Sequence, residues 1–361
     1  MADPIIWLLL GRKLGDNTQI LALAEQLGYP YQGKKILARS WELIPHLLHG
    51  ATLAGIDKTR SSPLRAPWPD LVITAGRRNE PVAHWIRRQS GGHSKLVHIG
   101  RPWSALSNWG LIVTTPQYFL PAQDNVVHNR LPLLRMPGDQ QRERALALRS
   151  RLQDLPPPYT ALLVGGDSGR FVFTTSKGRQ LGRAVNRLVA DCGGSLLLTD
   201  SPRTPSASFD ALLQEITVEH FCYRWRDGGK DNPYLGYLAL AEQLVVTGES
   251  MSMLAEASAT GKRLHIFDMG DGVTPWWRCL HNYRYKPLSH HFAMRFGPTR
   301  MRRDIGKIQQ ALVDSGQAVW LGQQISEAPV SVPAADEELE LSAVRVRGLL
   351  ASTVEDTNSG N

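Results

Sequence analysis

Cysteine is scarce in this sequence, and the spacings that usually bind metals are missing. Among 361 residues there are three cysteines, Cys192, Cys222 and Cys279, which are far apart and form no C-x-x-C pair. The eleven histidines show no H-E-x-x-H or comparable spacing. A few scattered cysteines are typical of a reducing compartment and argue against a cysteine zinc site. We therefore expect no bound metal.

Long apolar runs are also missing. Segments such as IIWLLL fall far short of the roughly 20 residues that a membrane-spanning helix needs. The first residues, MADPIIWLLLGRK, carry their basic residues after the apolar run, which predicts a β-strand rather than a signal peptide. We expect a cytoplasmic protein and leave open an attachment to a membrane surface.

Acidic residues are outnumbered by basic ones. The chain has 41 Lys and Arg against 33 Asp and Glu, a formal net charge of +8. This excess suits an anionic partner, such as nucleic acid, nucleotide phosphates or acidic lipids. The basic residues are spread along the chain and no nucleic-acid recognition motif occurs, so we expect no nucleic-acid partner. A content of 42% hydrophobic and 20% charged residues is typical of a globular protein.

Short apolar runs alternate with helical patterns twice along the chain, which predicts the α/β class with parallel sheets. IIWLLL, LVITAG, KLVHIG and GLIVTT are the strands of the first half, and ALLV, SLLLT, LVVT and RLHIF are those of the second. A charged helical segment broken by three prolines, residues 137–159, is predicted to connect them. We expect a domain at 1–140, a domain at 141–321, a cleft between them, and a helix with a disordered tail at 322–361.

Four loops follow predicted strands and carry the residues suited to chemistry. In LLVGGDSGRF, Gly165 and Gly166 allow a sharp turn, after which Asp167, Ser168, Gly169 and Arg170 could cradle an anion. LTDSPRTP repeats the arrangement with Ser201, Arg203 and Thr204. The alternative for both is an ordinary turn between a strand and a helix. Neither the Walker A pattern nor the Rossmann glycine pattern is present.

The other two loops lie in the first half. In GRKLGDNTQ, Asp16 or Asn17 could cap the following helix, or Asp16 could act as a general base. In TAGRRNEP, Arg77 and Arg78 follow a strand at the edge where open α/β sheets bind ligands, unless they are simply solvated.

The segment VVTGESMSMLAEASATG predicts a strand, a turn and a helix. Glu249, Ser252, Glu256 and Thr260 are spaced 3, 4 and 4 residues apart, as in an ordinary polar helix face. The alternative is that Glu256 binds a ligand whose phosphates lie at the helix start near Ser250.

Five segments together resemble the mitochondrial-fission "elongated mitochondria" family. They are GDNTQ, TAGRRNEP, GGDSGRF, LTDSPRTP and NPYLGYLALAEQLVVTGESMSMLAEASATGKRLHIF, and the resemblance covers roughly residues 5–321. The role of its plant members implies a non-catalytic adaptor that recruits membrane-remodelling proteins. Bacterial members have also been described as nucleotide-sugar epimerases, which is a second alternative.

More remotely, the same segments are similar to the nucleotide-sugar half of GT-B glycosyltransferases, especially the peptidoglycan N-acetylglucosaminyltransferase type. This likeness implies two Rossmann-like domains facing across a cleft, with the donor on the C-terminal one and no metal or cofactor. Glu256 and Gly261 match a Glu-x-x-x-x-Gly motif whose glutamate binds the ribose diol, and both carboxylate oxygens suit such a diol. The turn GESMS departs from the glycine-rich turn of those enzymes.

The resemblance implies a transferase that moves a sugar from a nucleoside-diphosphate or monophosphate sugar to an acceptor. A lipid-linked or lipopolysaccharide glycan at the inner membrane would suit a basic protein. Asp16 would be the base, and Asn17, Arg77 and Arg78 would lie on the acceptor side. The donor would contact Gly165, Gly166, Asp167, Ser168, Gly169, Arg170, Arg203, Thr204, Ser250, Met251, Ser252 and Glu256.

Overall fold

The computed structural model of the chain describes residues 3–39, 50–136, 138–168, 171–228, 232–270, 295–298, 302–323 and 335–358. The α/β class is confirmed, since these residues form two six-stranded sheets in which every pair of neighbouring strands is parallel. The chain divides into a first unit, Met1–Arg135 with Pro333–Asn361, and a second unit, Met136–Val332. The predicted cleft concerns the relative placement of the two domains and stays a prediction.

Six strands form the sheet of the first unit. They are β1 (Ile6–Leu10), β2 (Tyr31–Lys35), β3 (Leu71–Ala75), β4 (Lys95–Ile99), β5 (Leu111–Thr114) and β6 (Val126–His128), in the spatial order β2-β1-β3-β4-β5-β6. Helix α1 (Leu14–Leu27) follows β1, and α2 (Glu80–Gln89) follows β3. The chain passes from β1 to β2 on one side and then to β3 on the other, so its direction across the sheet reverses between β1 and β3.

The central strands of this sheet are apolar on both faces because both faces are covered. All five residues of β3 are buried. Ile20 and Leu23 of α1 belong to the apolar cluster on one side, whereas Val82 and Ile86 of α2 belong to the cluster on the other. Strand β2, YQGKK, lies at the edge and is mostly exposed. This two-sided burial is what a parallel sheet requires.

The second unit repeats the arrangement. Helix α3 (Gly138–Arg149) is followed by β7 (Tyr159–Leu163), α4 (Thr175–Cys192), β8 (Ser195–Thr199), α5 (Ser206–Leu213), β9 (His220–Tyr223), α6 (Tyr234–Leu240), β10 (Gln243–Thr247), α7 (Met251–Ala259), β11 (Arg263–Phe267), α8 (Gly306–Asp314) and β12 (Ala318–Trp320). The strand order is β12-β11-β10-β7-β8-β9. Here the direction of the chain across the sheet reverses between β7 and β10.

Helix α3 occupies the first part of the segment that the sequence predicts as a connection. Its Ala145 and Leu148 are buried. A Cβ added to Gly236 of α6 would lie 3.0 Å from the carbonyl oxygen of Arg144, so the backbones of α3 and α6 pack closely. This part of the connection is therefore a helix packed on the second unit.

The last helix, α9 (Ala335–Asn358), packs on the first unit. Leu339, Ala343 and Val346 join the same apolar cluster as α1. Polar contacts fix its position, among them Arg130 Nε to Glu338 Oε1 at 2.9 Å, Asn129 Nδ2 to Ser342 Oγ at 3.0 Å and Gln26 Nε2 to Glu340 Oε2 at 2.6 Å. The helix extends to Asn358 within the segment 322–361, for which the sequence predicts a helix and a disordered tail. Among the described helices, none is both long and apolar enough to cross a membrane.

Candidate functional site

Three loops meet at the carboxyl edge of the second sheet, where the chain direction reverses between β7 and β10. They are residues 164–168 after β7, 200–205 after β8 and 248–250 after β10, and we call them the switch-point loops. Open parallel sheets bind their ligands outside the carboxyl ends of the strands at such a reversal. The loops carry many of the residues that the sequence assigns to a donor: Gly165, Gly166, Asp167, Ser168, Arg203, Thr204 and Ser250. Gly169 and Arg170 lie outside the described residues.

The two glycines are required because the loops pass very close to one another. Gly166 has a φ of 121°, and a Cβ there would lie 2.5 Å from the carbonyl oxygen of Arg203. A Cβ on Gly165 would collide with the carboxylate of Glu249. Other residues would therefore meet strain, collision or both at these positions.

Hydroxyl groups fix the carbonyl of Gly165. Thr204 Oγ1 donates to this oxygen at 2.7 Å, and Ser201 Oγ donates to it as well. The amide of Gly165 donates to Thr247 Oγ1 at 2.7 Å. Thr204, assigned by the resemblance to the donor, is thus a buried residue whose hydroxyl stabilises the loop.

The remaining described amides of the first loop also donate within the protein. Gly166 donates to Glu249 Oε1 at 2.6 Å, Asp167 to the carbonyl of Arg203 at 3.3 Å, and Ser168 to that of Phe171 at 3.0 Å. The side chain of Asp167 is turned inward as well, since its Oδ1 accepts from the amide of Phe173 at 2.8 Å. In this conformation the described amides of the loop thus already have acceptors within the protein. The anion cradle that the sequence predicts also includes Gly169 and Arg170, and it stays a prediction.

Glu249 is the residue of this site that the sequence pattern places wrongly. The spacing puts it on a polar helix face, but it lies before α7 and is 1% exposed. Its Oε1 accepts from Gly166 and lies 3.9 Å from Nη2 of Arg203. Its Oε2 is buried and makes no hydrogen bond within the described part of the chain. Burial raises the pKa of Glu249 to about 7, although Arg203, the Thr247 hydroxyl and the Gly166 amide act in the opposite direction.

Arg203 joins all three switch-point loops. Its Nη1 donates to the carbonyl of Asp167 at 3.2 Å, and its Nη2 donates to Ser250 Oγ at 3.3 Å. The side chain keeps 31% of its surface exposed. The guanidinium is therefore a positive charge at the edge of the site that is fixed in place and still accessible to an anion.

Helix α7 begins at this point with its amino end at the switch-point loops. Ser250 is the N-cap residue, and its side chain makes no capping hydrogen bond. The amides of the first turn have no helical carbonyl to bind, and they favour negative charge nearby. Met251 is buried, whereas Ser252 is exposed. Of these two predicted donor contacts, only Ser252 can offer its side chain at the surface.

Glu256 lies in the second turn of α7, next to Tyr234 at the start of α6. The Tyr234 hydroxyl donates to Oε2 of Glu256, and both side chains are half-buried. Burial raises the pKa of Glu256, and the hydrogen bond from Tyr234 lowers it. One of the two oxygens that the sequence offers to a ribose diol is thus already in use. Gly261 has a φ of 67° just beyond the C-cap residue of α7, so the glycine of the motif also has a structural cause.

In the first unit, the corresponding edge lies between β1 and β3. Helix α1 begins at Leu14 with Lys13 as its N-cap residue, so capping by Asp16 or Asn17 is a wrong prediction. Asp16 lies in the first turn, is partly exposed, and has Oδ2 3.6 Å from Lys13 Nζ. A Cβ on Gly76 would lie 3.0 Å from the same oxygen. The loops after β1 and β3 therefore meet at the Asp16 carboxylate.

Asn17 stabilises the loop after β1. Its Oδ1 accepts from the amide of Gly11 at 2.9 Å, and its Nδ2 donates to the Gly11 carbonyl at 2.9 Å. Both functions of the side-chain amide are used, so Asn17 ties the loop after β1 to the first turn of α1, which carries Asp16.

Arg77 and Arg78 differ in their surroundings. The Arg77 guanidinium lies 4.6 Å from the centre of the Trp103 ring, a cation–π contact, and Arg78 is exposed. Buried Glu80 positions Trp103, because its two carboxylate oxygens accept from the amides of Trp103 at 2.7 Å and Ser104 at 3.0 Å. The sequence reading missed Glu80, since a glutamate at a helix start is usually solvated.

Behind Glu80 lies a fully buried histidine. His98 Nε2 is 3.8 Å from Glu80 Oε1, and neither ring nitrogen of His98 makes a hydrogen bond within the described ranges. The ring packs on Trp109, with centroids 4.8 Å apart. Burial, with a smaller effect from His84, lowers the pKa of His98 to about 3, so the ring is neutral at neutral pH.

Comparison with known proteins identifies a family and similar folds. A model of the family described as "Mitochondrial fission ELM1" matches residues 15–292. Mitochondrial fission protein ELM1 of Arabidopsis thaliana is 27% identical over 220 residues, which are 55% of this chain and 51% of that protein. The chain therefore matches about half the length of this relative.

Two solved structures are similar in fold at low sequence identity. UDP-N-acetylglucosamine 2-epimerase from Rickettsia bellii has a TM-score of 0.48 and 11% identity, covering 99% of each chain. A UDP-glucosyltransferase from Polygonum tinctorium has a TM-score of 0.42 and 8% identity, covering 97% of this chain and 99% of that one.

Proposed function

The chain belongs to the mitochondrial fission ELM1 family, and we propose that this member binds a nucleoside-diphosphate or monophosphate sugar on its second unit and transfers the sugar to an acceptor. The observation that carries the proposal is the convergence of the three switch-point loops, Arg203 and the amino end of α7 at the reversal between β7 and β10. Sheets of this kind bind nucleotides at that place.

The phosphates would lie between the exposed edge of Arg203 and the first turn of α7. Both features offer positive charge or partial positive charge to an anion. Ser252, exposed in that turn, would add a hydroxyl. The amides of Gly165 to Ser168 already donate hydrogen bonds within the protein. The first switch-point loop would therefore position Arg203 and would not itself bind the phosphates.

The ribose would lie one to two turns along α7 at Glu256. Glu256 lies six positions after Ser250, which is about 9 Å along a helix and matches the reach from a phosphate to its ribose. A carboxylate accepts hydrogen bonds well, so Oε1 of Glu256 would accept from one ribose hydroxyl. Tyr234 would keep the carboxylate in place from the other oxygen.

In the transfer step, the bond between the sugar and phosphate would break as the bond to the acceptor oxygen forms. Arg203 and the α7 amides would stabilise the negative charge that develops on the departing phosphate. The proton of the acceptor hydroxyl would pass to the Asp16 carboxylate of the first unit. An acceptor that is part of a lipid-linked or lipopolysaccharide glycan at the inner membrane surface would suit the net charge of +8.

A second candidate is a non-catalytic adaptor in membrane remodelling, in a family whose description names mitochondrial fission. The observation in its favour is that all five amides of the first switch-point loop, residues 164–168, already have acceptors inside the protein. A protein that no longer binds a nucleotide could keep such a closed arrangement.

A nucleotide-binding screen separates the two candidates. The full chain would be tested by thermal shift and calorimetry with ADP-, GDP-, UDP-, dTDP- and CMP-linked sugars. We expect binding to one of them, about tenfold or more weaker in Glu256→Ala. Glu219→Ala is a matched control, because Glu219 is exposed and precedes β9 at the opposite edge of the same sheet. Binding of none of these compounds would reject the transferase and leave the adaptor.

Turnover is tested with the compound that binds. Incubation with and without an acceptor glycolipid distinguishes transfer, which needs the acceptor, from epimerisation of the free nucleotide sugar, which does not. The expected product is the glycosylated lipid, and its formation should be lost in Asp16→Asn.

A further inference from the structure

The carboxylate of Glu249 lies beside the position that the proposed function gives to the phosphates of the ligand, so two acidic groups would meet there. The Glu249 carboxylate immediately precedes α7, is 1% exposed, and accepts from the amide of Gly166. The amino end of α7 and Arg203 lie beside it, and these are the two features that would receive the phosphates. A carboxylate and a phosphate in contact with such groups would repel each other strongly at low dielectric.

The surroundings of Glu249 supply one full positive charge. Arg203, from the loop after β8, lies 3.9 Å away and is the one cationic partner of Glu249 in the described part of the chain. Gln309 of α8, an uncharged residue, packs on Gly248 next to Glu249 in the chain and donates to the Gly248 carbonyl at 2.7 Å. From the loop after β7, the Asp167 carboxylate faces the amide of Phe173. Thr247, on β10, is neutral. One guanidinium would thus have to balance both Glu249 and a phosphate.

One oxygen of the Glu249 side chain is available to interact with a phosphate. Oε1 of Glu249 is used by Gly166, whereas Oε2 is buried and has no hydrogen-bond partner among the described residues. A buried carboxyl oxygen without a partner costs free energy unless something binds it. A proton on Oε2 would turn that oxygen into a donor, and a phosphate oxygen would be its acceptor.

We propose that the nucleotide sugar binds together with one proton, which Glu249 Oε2 carries and donates to a phosphate oxygen. This inference rests on the proposed function. The proton comes from solvent, no covalent bond other than this O–H is made or broken, and the carboxyl group becomes neutral while the ligand is bound. The pKa of about 7 that burial gives Glu249 in the free protein makes this protonation inexpensive near neutral pH.

Calorimetry measures the proton directly. A nucleoside-diphosphate sugar is the right probe, because both of its phosphates are esterified and neither takes up the second proton of a terminal phosphate, whose pKa is about 6. The binding enthalpy of the wild type would be measured near pH 8 in two buffers of different ionisation enthalpy. We expect uptake of about one proton, and an affinity that falls up to about tenfold for each pH unit above about 7.

Two variants assign the proton to its residue. Glu249→Gln keeps the acceptor for Gly166 and places a neutral donor at the position of Oε2. It should bind the nucleotide sugar with no proton uptake and with an affinity independent of pH. Glu256→Gln is the control, because it removes the neighbouring carboxylate, on α7 itself, whose pKa is also raised. It should bind more weakly and take up the same proton as the wild type.

The outcomes separate this inference from the function on which it rests. Binding by the wild type without proton uptake would overturn the inference and leave the nucleotide site intact. Proton uptake that persists in Glu249→Gln would also overturn the inference and leave the nucleotide site intact. So would tighter binding by Glu249→Ala at every pH, because it would mean that the phosphate displaces the carboxylate. Failure of every nucleotide sugar to bind would reject the function and the inference together. The wild-type measurement needs no variant, so poor folding of a variant would not protect the proposal.

Discussion

The hydroxyl of Tyr234 donates a hydrogen bond to Oε2 of Glu256 and thereby ties the start of α6 to the second turn of α7. The two residues are 22 positions apart and belong to neighbouring elements on the second sheet. Glu256 thus has one oxygen fixed by the protein and one left for a ligand, which makes Tyr234 a positioning residue for the proposed ribose contact.

Tyr234→Phe removes this donor and keeps the ring. We expect the free energy of unfolding to fall by about 1 kcal/mol, the usual size of such a hydrogen bond. Nucleotide-sugar affinity should fall less than in Glu256→Ala, since the carboxylate is still present but less well placed. A double-mutant cycle measured by calorimetry should give a coupling energy of about 1 kcal/mol between the two residues. Additive effects would show that Tyr234 does not act through Glu256.

Glu249 should make the second unit less stable as pH rises through the weakly acidic range. Its folded pKa of about 7 lies above the ordinary value of 4.5, so its contribution is fully present below 4.5 and is lost as pH rises to about 7. Each pH unit in that window costs about 1.4 kcal/mol. Denaturant titrations of the ligand-free protein at several pH values would measure the slope. In Glu249→Gln this part of the slope should vanish.

His98 should have the opposite effect in the first unit. Its folded pKa of about 3 lies below the ordinary 6.5, so the unfolded chain binds the proton first, and stability falls as pH drops below 6.5. The slope is again about 1.4 kcal/mol for each pH unit. Intrinsic tryptophan fluorescence, to which Trp109 beside the His98 ring contributes together with the other nine tryptophans, would follow this unfolding as the pH is lowered. His98→Leu should lose this acid sensitivity, and an unchanged acid transition would contradict the assignment.

Two glycines in left-handed conformation form a matched pair. Gly166→Ala should lower the free energy of unfolding by about 3 kcal/mol or more, because φ is 121° and the new Cβ would lie 2.5 Å from the carbonyl oxygen of Arg203. At Gly261 the φ is 67°, and no atom lies within 4 Å of the Cβ that Gly261→Ala would add. Its cost should be about 1 kcal/mol, from backbone strain alone. Equal losses in urea titrations would show that the loops can move apart.

The strands that the sequence predicts and those that it misses follow a physical rule. The central strands are buried on both faces, so their residues are continuous apolar runs such as IIWLLL and LVVT. The four strands without a signal are the four edge strands, β2, β6, β9 and β12. An edge strand pairs on one side only, and YQGKK and HFCY show how little apolar character that needs.

Only those residues of the site that a local sequence pattern marks could be predicted. Gly165, Gly166 and Arg203 are predictable because each lies in a loop directly after a predicted strand. The burial of Glu249 is not predictable in this way, since it depends on a contact with Gly166, 83 residues earlier in the chain. Helical spacing alone assigns Glu249 to a solvated face, and only the packing of the three loops reverses that assignment.

The packing of α9 on the first unit has a consequence for the order in which the two units can complete their folding during synthesis. Synthesis proceeds from the amino end, and domains generally fold as they emerge. Leu339, Ala343 and Val346 belong to the core of the first unit but are translated after the whole of the second. The half of the molecule that leaves the ribosome first is therefore completed last. Until then it exposes an apolar face on α1, a surface that chaperones would recognise.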